Sequence, residues 1–490
     1  MPQIIIRDFH RGQASSPYVA DGAYAKAVNL DVFGQPGIAR INYGAVLESE
    51  DSGDHEVTDL INNFAVDPTT ILRIFAAGER SGNIYYSANA GNSWTLLLAN
   101  RGKRCVVWKD YLLACGHTTA INTYGPLTSS PNWNTGFENT TITAKVIFVS
   151  KNNGYVYVGH GRYVASIYEE AGKNFSDSDE STYTFTDKDL TLPEGYNITC
   201  IAEQREDLLI GANTKTSAVV FVWDRDRVEF THPIILPESR INSIFSVGNR
   251  VYISAGVNGR LYVYSEAGLV PFIQIPSDYD DDKAVIIGEQ GITWWKDRLL
   301  IGTKNVSDET TPVIPVGIYG VKGKAINLEH LISTGADGSD AQLDIGAIHA
   351  VDDTTLLIGW YDKNNTDKEY GIDRVKDDFN RYTGYAAYLE SIFYRVGTER
   401  NPANFSQIEV HLARPLQDGE GVRLKYREAI NTAWSSAITT GTIDFATDGG
   451  IQDHIFDTAI KGIKNIQVRV ELTTKASSQN TPYLLSVELR

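Results

Sequence analysis

A short pattern that recurs seven times along the middle of the chain constrains the fold more than any other feature of the sequence. Each copy is an apolar strand, a tight polar turn and a second apolar strand that ends in a small residue, usually glycine. Successive copies begin about 40 to 55 residues apart, which is the spacing of β-propeller blades with their loops. The copies are residues 60–78, 106–116, 146–161, 198–213, 241–256, 292–303 and 345–360.

The residues of each copy are those expected of a β-hairpin inside a propeller blade. The second strand is apolar almost throughout, as expected of an inner strand with blades on both faces, and a third strand rich in Tyr or Trp follows it. The terminal glycine is expected to let the backbone bend where the blades crowd a central channel. Tight turns are predicted at the polar pairs Lys109-Asp110, Gly248-Asn249, Lys296-Asp297 and Asp352-Asp353.

These features predict an all-β fold whose centre, residues 46–390, is a β-propeller of about seven blades. One blade alone leaves its apolar faces open, and closure of the ring buries them. A propeller of six or eight blades remains an alternative, because a strand from elsewhere in the chain can close the ring. The alternative fold is an irregular β-sandwich in which the hairpins are coincidental.

The two flanks lack the repeat. Residues 1–45 are rich in Gly, Pro, Ser and Ala, which predicts an extended N-terminal arm with turns. This arm packs either on a neighbouring subunit or as a strap over its own propeller. Residues 391–490 contain segments of strict alternation, at 421–428 and 466–473, which mark strands with one buried face. We therefore predict a C-terminal β-sandwich whose first strand is 405–414.

The charge and the cysteine content of the chain limit the functions that are possible. The chain has 44 basic and 61 acidic residues, a formal charge of −17, which opposes general nucleic-acid binding and suits a wall that does not retain passing DNA. The three cysteines, Cys105, Cys115 and Cys200, are predicted to be free thiols of a protein assembled in a reducing cytoplasm. No signal peptide and no membrane span are predicted, because long apolar stretches are lacking.

One short motif has a known structural use. Ser87, Asn89, Gly91 and Trp94 resemble the Asp-box turn, S-x-D-x-G-x-x-W, of sialidases and other propellers, with Asn89 in place of the usual Asp. In this motif the short polar side chain bonds the turn backbone and the Trp packs beneath it. The resemblance implies a structural turn away from any catalytic centre.

The sequence contains no pattern for catalysis, and we predict no catalytic, cofactor-binding or metal-binding residue. The nine histidines lack metal-ligand spacing, and no phosphate loop or nucleophile elbow is present. The acidic clusters at 48–56, 177–180 and 278–282 are interpreted as solvated loops, with calcium binding as the alternative. A sialidase-like site needs converging arginines, and no spacing selects a trio from Arg73, Arg205, Arg240, Arg250, Arg260 and Arg298.

The opening of the chain resembles that of many virion proteins of tailed bacteriophages. Those proteins begin with a short F-x-x-G-like segment, then a polar stretch, an N-x-D, a glycine-bearing turn and an R-x-x-x-G. The corresponding residues are 9–12, Asn29-Leu30-Asp31, Pro36-Gly37 and Arg40 with Gly44. The layout of an arm, a propeller and an added β domain also resembles the tail nozzle or tail-hub proteins of short-tailed, podovirus-like phages.

This resemblance implies a structural role rather than an enzymatic one. In that family six copies form a ring below the portal and adaptor rings, and the genome leaves through it. The implied partners are further copies of the chain, the portal, the adaptor and other tail proteins, while DNA passes without specific binding. The implied location is the tail of the virion, after assembly in the cytoplasm of the bacterial host, and no cofactor is expected.

Two other functions stay open. A receptor- or glycan-binding tail module would use exposed Tyr and Trp side chains, with the C-terminal sandwich as the expected site. A propeller glycoside hydrolase would need two carboxylates about 5–10 Å apart across a sugar, and the many carboxylates of this chain single out no pair.

Overall fold

The computed structural model describes residues 3–7, 9, 12, 23–50, 57–70, 72–265, 267–275, 285–305, 317–332, 343–362, 369–377, 381–382, 386–429, 432–435, 442–475 and 480–490. Five strands precede the first repeat: β1 (Ile4–Arg7), β2 (Tyr24–Val28), β3 (Leu30–Asp31), β4 (Ala39–Ile41) and β5 (Ala45–Glu50).

The first three repeats each form an antiparallel sheet of four consecutive strands. Blade one has β6 (Ile61–Val66), β7 (Ile74–Gly78), β8 (Ile84–Ser87) and β9 (Thr95–Leu98). Blade two has β10 (Arg104–Trp108), β11 (Tyr111–Cys115), β12 (Ala120–Gly125) and β13 (Asn132–Asn139). Blade three has β14 (Val146–Val149), β15 (Val156–His160), β16 (Tyr163–Glu169) and β17 (Tyr183–Thr191), with a 3₁₀ turn at Glu180–Thr182.

The next three repeats have the same order of strands. Blade four has β18 (Asn197–Gln204), β19 (Asp207–Asn213), β20 (Ala218–Trp223) and β21 (His232–Leu236). Blade five has β22 (Ile241–Val247), β23 (Arg250–Ala255), β24 (Arg260–Ser265) and β25 (Gly268–Gln274). Blade six has β26 (Val285–Trp295), β27 (Arg298–Asn305), β28 (Ile318–Lys322) and β29 (Ala325–His330).

The seventh blade is built from both ends of the propeller sequence. Its inner strands are β30 (Leu343–Ala350), β31 (Thr355–Asp362) and β32 (Glu369–Lys376). Its outermost strand is β5, which pairs antiparallel with β32 and comes from before blade one. The predicted all-β propeller is confirmed, with seven blades in the described residues. Blades one to five are separate four-stranded sheets, whereas blades six and seven are joined between β26 and β30 in one larger sheet.

The ring closes because each interface between neighbouring blades has its own apolar cluster. The innermost strands contact one another in order, and β30 of blade seven returns to β6 of blade one. At this last interface Leu357 and Tyr361 of blade seven pack with Ile61 and Trp94 of blade one. Burial of these apolar faces is the main force that holds a closed ring together.

Close packing between blades explains two of the recurring glycines, whereas the expected backbone bend stays a prediction. Gly302 and Gly359 lie in second strands, where a Cβ on Gly302 would meet Cγ2 of Ile345 at 2.5 Å and one on Gly359 would meet Cβ of Ile61 at 2.7 Å. Both neighbours belong to the first strand of the next blade. Glycine is therefore needed at these two positions for close packing between blades.

The remaining strands are β33 (Ala387–Ser391), β34 (Tyr394–Arg395), β35 (Ala403–Leu412), β36 (Gly421–Arg427), β37 (Thr442–Asp444), β38 (Asp453–Ile463), β39 (Asn465–Thr473) and β40 (Tyr483–Leu489), with a short helix α1 (Phe445–Asp448). They form two sheets around one apolar core. The first sheet has the order β3-β4-β40-β35-β38, with β1 also paired to β40. The second has the order β37-β36-β39-β33-β2 and continues through β2 into β29 of blade six.

A separate C-terminal sandwich over 391–490 is not confirmed. Strands β1 to β4, from the predicted arm, lie in the same two sheets as the C-terminal strands. The alternating segments do bury one face, since Val422, Leu424, Val468 and Val470 are all fully buried. The described part of the arm thus packs on its own chain, whereas the boundaries 1–45, 46–390 and 391–490 stay predictions.

Candidate functional site

The Asp-box-like turn connects β8 to β9 at the interface that closes the ring. The Ser87 hydroxyl donates to Asn89 Oδ1 at 2.9 Å and accepts from Gly91 N at 2.9 Å. Asn89 Oδ1 also accepts from Ser93 N at 3.0 Å, and Trp94 Nε1 donates to the Gly91 carbonyl at 3.1 Å. Trp94 is 2% exposed and belongs to the cluster between blades one and seven. These contacts place the turn in the packing between two blades.

The central channel contains a cavity of about 400 Å³ between the innermost strands of the propeller. Its volume is that of a small-molecule pocket. Four of its lining residues carry aromatic rings: Phe64, Phe148, Phe245 and His349.

One ion pair crosses this cavity. Arg104 of blade two bonds to Glu289 of blade six, and Ser243 donates to the Glu289 carbonyl at 2.8 Å. Burial lowers the pKa of the Arg104 guanidinium. Burial also lowers the pKa of His349 to about 4, so this imidazole is neutral near pH 7. The cavity thus offers the paired Arg104 and a neutral imidazole, and its wall also contains polar side chains such as Lys151, Glu203 and Gln290.

The residues of the N-x-D motif lie in a second polar site, which we call the junction and define by Asn29, Asp31, Arg40, Arg298 and Glu329. Asp31 Oδ1 accepts from Arg298 Nη1 at 2.9 Å, and Asp31 Oδ2 accepts from Arg40 Nη2 at 2.8 Å. Arg298 Nη1 also donates to Glu329 Oε1 at 2.9 Å. Arg298 is 5% exposed and Glu329 is wholly buried.

Backbone contacts extend the junction to both sheets. Asn29 has a φ of +56° and accepts through Oδ1 from Leu331 N at 3.0 Å, while its Nδ2 donates to the Ala386 carbonyl at 3.2 Å. Asn327 of blade six donates through Nδ2 to the Leu30 carbonyl at 2.7 Å. The junction therefore joins the N-terminal segment to blade six and to the chain that leads into β33.

The junction shifts the acid–base equilibria of its members. The two arginines hold the pKa of the Asp31 carboxyl well below its usual range, although burial opposes them. Burial, with a smaller contribution from Asp31, raises the pKa of Glu329 to about 7 despite the nearby Arg298. Burial lowers the pKa of the neighbouring His330 to about 3. The shifts of Glu329 and His330 record the cost of a charge taken out of water, whereas the shift of Asp31 records its two arginine partners.

The other residues considered for chemistry are dispersed. Arg73 pairs with Asp67 at 2.9 Å, and Arg260 pairs with Glu238 at 3.2 Å. Arg298, another of the arginines named in the sequence analysis, is buried in the junction. The three cysteines are free and buried.

The acidic clusters are only partly described. In the cluster at 177–180, Asp177 accepts from the Thr123 hydroxyl at 2.5 Å and Asp179 caps the 3₁₀ turn. The cluster at 278–282 and residues 51–56 lie outside the described residues. No helix in the described part of the chain is long and apolar enough to cross a membrane.

The fold defines the chain as a β-propeller protein of seven blades with an additional two-sheet β unit. No protein-family model matches it, and no curated protein matches it. Solved structures similar to it include YCF48 from Cyanidioschyzon merolae, with 10% identity over 68% of this chain and 98% of that one and a TM-score of 0.45.

Two further similar structures are a propeller and a chain of a larger complex. The Dos1 propeller has 10% identity over 69% of this chain and 97% of that one, with a TM-score of 0.41. A chain of the Mitotic Checkpoint Complex has 11% identity over 68% of this chain and 95% of that one, with a TM-score of 0.43. With TM-scores this low, these matches carry no argument about function.

Proposed function

We propose that the chain is a structural virion protein of a tailed phage, which forms the nozzle or hub ring of a short tail through which the genome leaves. The observation that carries this proposal is the place of the opening motif. Asn29, Asp31 and Arg40, three residues of the motif that resembles the opening of phage virion proteins, are the N-terminal members of the junction.

The way in which the N-terminal segment is held supports a structural role. Its strands β1 to β4 complete the two sheets that contain the C-terminal strands, and β5 completes blade seven. The segment therefore links the propeller and the two-sheet unit at several separate places. A wall subjected to the passage of a genome needs its parts to be joined in this way, so that they move together.

Charge and dimensions support a particular arrangement of such a ring. A cavity of about 400 Å³ in the propeller channel is far too small to admit a nucleic-acid duplex. Any conduit would therefore run between subunits, along their outer surfaces. A formal charge of −17 would limit adhesion of DNA to that wall.

The test is capture by the rings above it. Purified chain is mixed with immobilised portal and adaptor rings of the same phage and washed at physiological ionic strength. The proposal expects retention of the chain on the adaptor ring. A chain that is retained on neither ring would contradict it. A matched variant, Asp31→Asn, should lose retention if the junction is needed to present the binding surface.

The glycan-binding tail module and the propeller hydrolase stay as alternatives. A glycan array probed with the whole chain separates the first from the proposal, because a ring component should show no selective sugar binding. Turnover of a glycan, lost on substitution of a carboxylate, would favour the second.

A further inference from the structure

The outer face of the first sheet of the two-sheet unit carries a cluster of two glutamates and a histidine. Glu409 and His411 alternate on β35 with the buried residues Ile408 and Val410, so their side chains lie on the opposite, outer face. Glu488 on β40 lies directly across from Glu409 in the antiparallel pair. All three side chains are half-buried.

Two glutamates in direct opposition repel each other, and this arrangement destabilises a sheet unless a cation lies between them. Arg490 neutralises one side of the pair, because its Nη2 lies 2.8 Å from Glu409 Oε2 and 2.9 Å from Glu488 Oε2. The other carboxylate oxygens face His411. Nε2 of His411 lies 3.7 Å from Glu409 Oε1 and 3.9 Å from Glu488 Oε1.

The orientation of the imidazole is set from its far side. His411 Nδ1 lies 2.8 Å from Asp453 Oδ1 on β38, within hydrogen-bond distance of a carboxylate that can only accept. When Nδ1 carries the proton and donates to Asp453, Nε2 presents a lone pair to the two glutamates. Three electron-pair donors then lie within 4.8 Å of one another, which is an arrangement that a metal ion can satisfy.

We propose that Glu409, His411 and Glu488 bind a divalent transition-metal ion, with Zn²⁺ as the best fit. One imidazole nitrogen and two carboxylate oxygens suit Zn²⁺ in chemistry and number, and a water completes a tetrahedral site. Bonds to zinc of about 2.0–2.2 Å place tetrahedral ligands about 3.3–3.6 Å apart. The observed separations of 3.7 and 3.9 Å need only small side-chain rotations to reach this spacing.

Asp453 acts in this site as a positioning residue. A carboxylate that accepts from the second nitrogen of a metal-bound histidine fixes the tautomer and the ring orientation, and its loss costs about 10–100-fold in metal affinity. The metal ion would tie β35 to β40, with β38 holding the histidine. Because it binds only the folded sheet, it would also raise the thermal stability of the chain.

The test is isothermal titration calorimetry with ZnCl₂ at pH 7.5, on the untagged full-length chain after chelator treatment. The proposal expects one zinc site per chain and a rise of the melting temperature on zinc addition. It expects the site to be lost in His411→Ala and in Glu488→Gln, and weakened about 10–100-fold in Asp453→Ala. Circular dichroism of each variant checks that its strands are retained.

The matched control is His454→Ala. His454 lies on β38 opposite Val410, on the other face of the same sheet, with its ring 4.4 Å from that of Phe456. This variant should bind zinc as the unaltered chain does. Lack of zinc binding by the unaltered chain, or equal binding by His411→Ala, would overturn the proposal.

Discussion

Arg298 of blade six and Asp31 of the N-terminal segment form a buried ion pair, with Nη1 2.9 Å from Oδ1, across 267 positions of sequence. Glu329 shares the same guanidinium nitrogen at 2.9 Å. Arg298 is the cation that the two buried carboxylates share, while Arg40 makes a second ion pair with Asp31. The fold of the N-terminal segment therefore depends on a residue of the propeller.

Substitution of Arg298 by Ala should destabilise the chain by about 3–5 kcal/mol, because two buried carboxylates lose their shared cation. Arg250 is a matched control, since it also begins the second strand of a blade but is exposed. Arg250→Ala should change stability by no more than about 0.5 kcal/mol. Urea unfolding curves measure both, and equal effects of the two substitutions would contradict the role of the junction.

The stability of the chain should depend on pH through Glu329. Its pKa is raised from 4.5 in the unfolded chain to about 7 in the fold, chiefly by burial. Between these values the folded state binds more protons than the unfolded state, so the contribution of Glu329 to the free energy of unfolding falls as pH rises. The decrease is at most about 3 kcal/mol.

Glu329→Gln tests this dependence, because glutamine has the same shape and does not titrate in this range. As pH rises from 4.5 to 7, the free energy of unfolding of the variant should increase relative to that of the unaltered chain. Glu194, whose side chain is 92% exposed, provides the control Glu194→Gln, which should keep the original slope. An unaltered slope in Glu329→Gln would exclude this residue as the source.

Trp94→Ala should cost about 3–5 kcal/mol, because it leaves a cavity between blades one and seven. The control is Trp294→Ala, since Trp294 is 41% exposed. Its cost should stay below about 1 kcal/mol. Differential scanning calorimetry compares the two, and a small effect at Trp94 would show that the Asp-box-like turn contributes little to ring closure.

Gly302→Ala should destabilise the chain by about 1–3 kcal/mol through overpacking, since the new methyl would lie 2.5 Å from Ile345 Cγ2 of the next blade. Gly450→Ala is the control, because its methyl would meet only Leu416 O at 3.5 Å and Pro415 Cβ at 3.8 Å. That change should stay within about 0.5 kcal/mol. Thermal melts in which both variants match the unaltered chain would show that blade packing yields at this position.

Local chemistry explains why the blades could be predicted. The predicted turns Lys109-Asp110 and Lys296-Asp297 are two-residue loops, each joining two paired strands. Lys109 and Lys296 both have a φ of +55°. Such turns depend on neighbouring residues alone, and the apolar runs beside them depend on a period that the sequence displays. The positions of the seven repeats follow from these two signals.

Long-range partners explain what could not be predicted. Strand β5 joins blade seven through pairs such as Arg374 with Val46, which are far apart in sequence. Arg298 follows a tight turn, where a solvated charge is the usual case, and it is buried only because the N-terminal segment covers it. His411 and Glu488 meet only when β35 and β40 pair. No local pattern carries these relationships.

The central claim, a ring component of a phage tail, is tested most directly by mass photometry of the chain added to purified portal and adaptor rings. The chain has a mass of 54.1 kDa. The account predicts a complex that is heavier than the rings alone by about six chain masses, because the resemblance implies a ring of six copies. Addition of more chain should not increase the mass further. A chain that stays monomeric at every concentration and leaves the mass of the rings unchanged would contradict it.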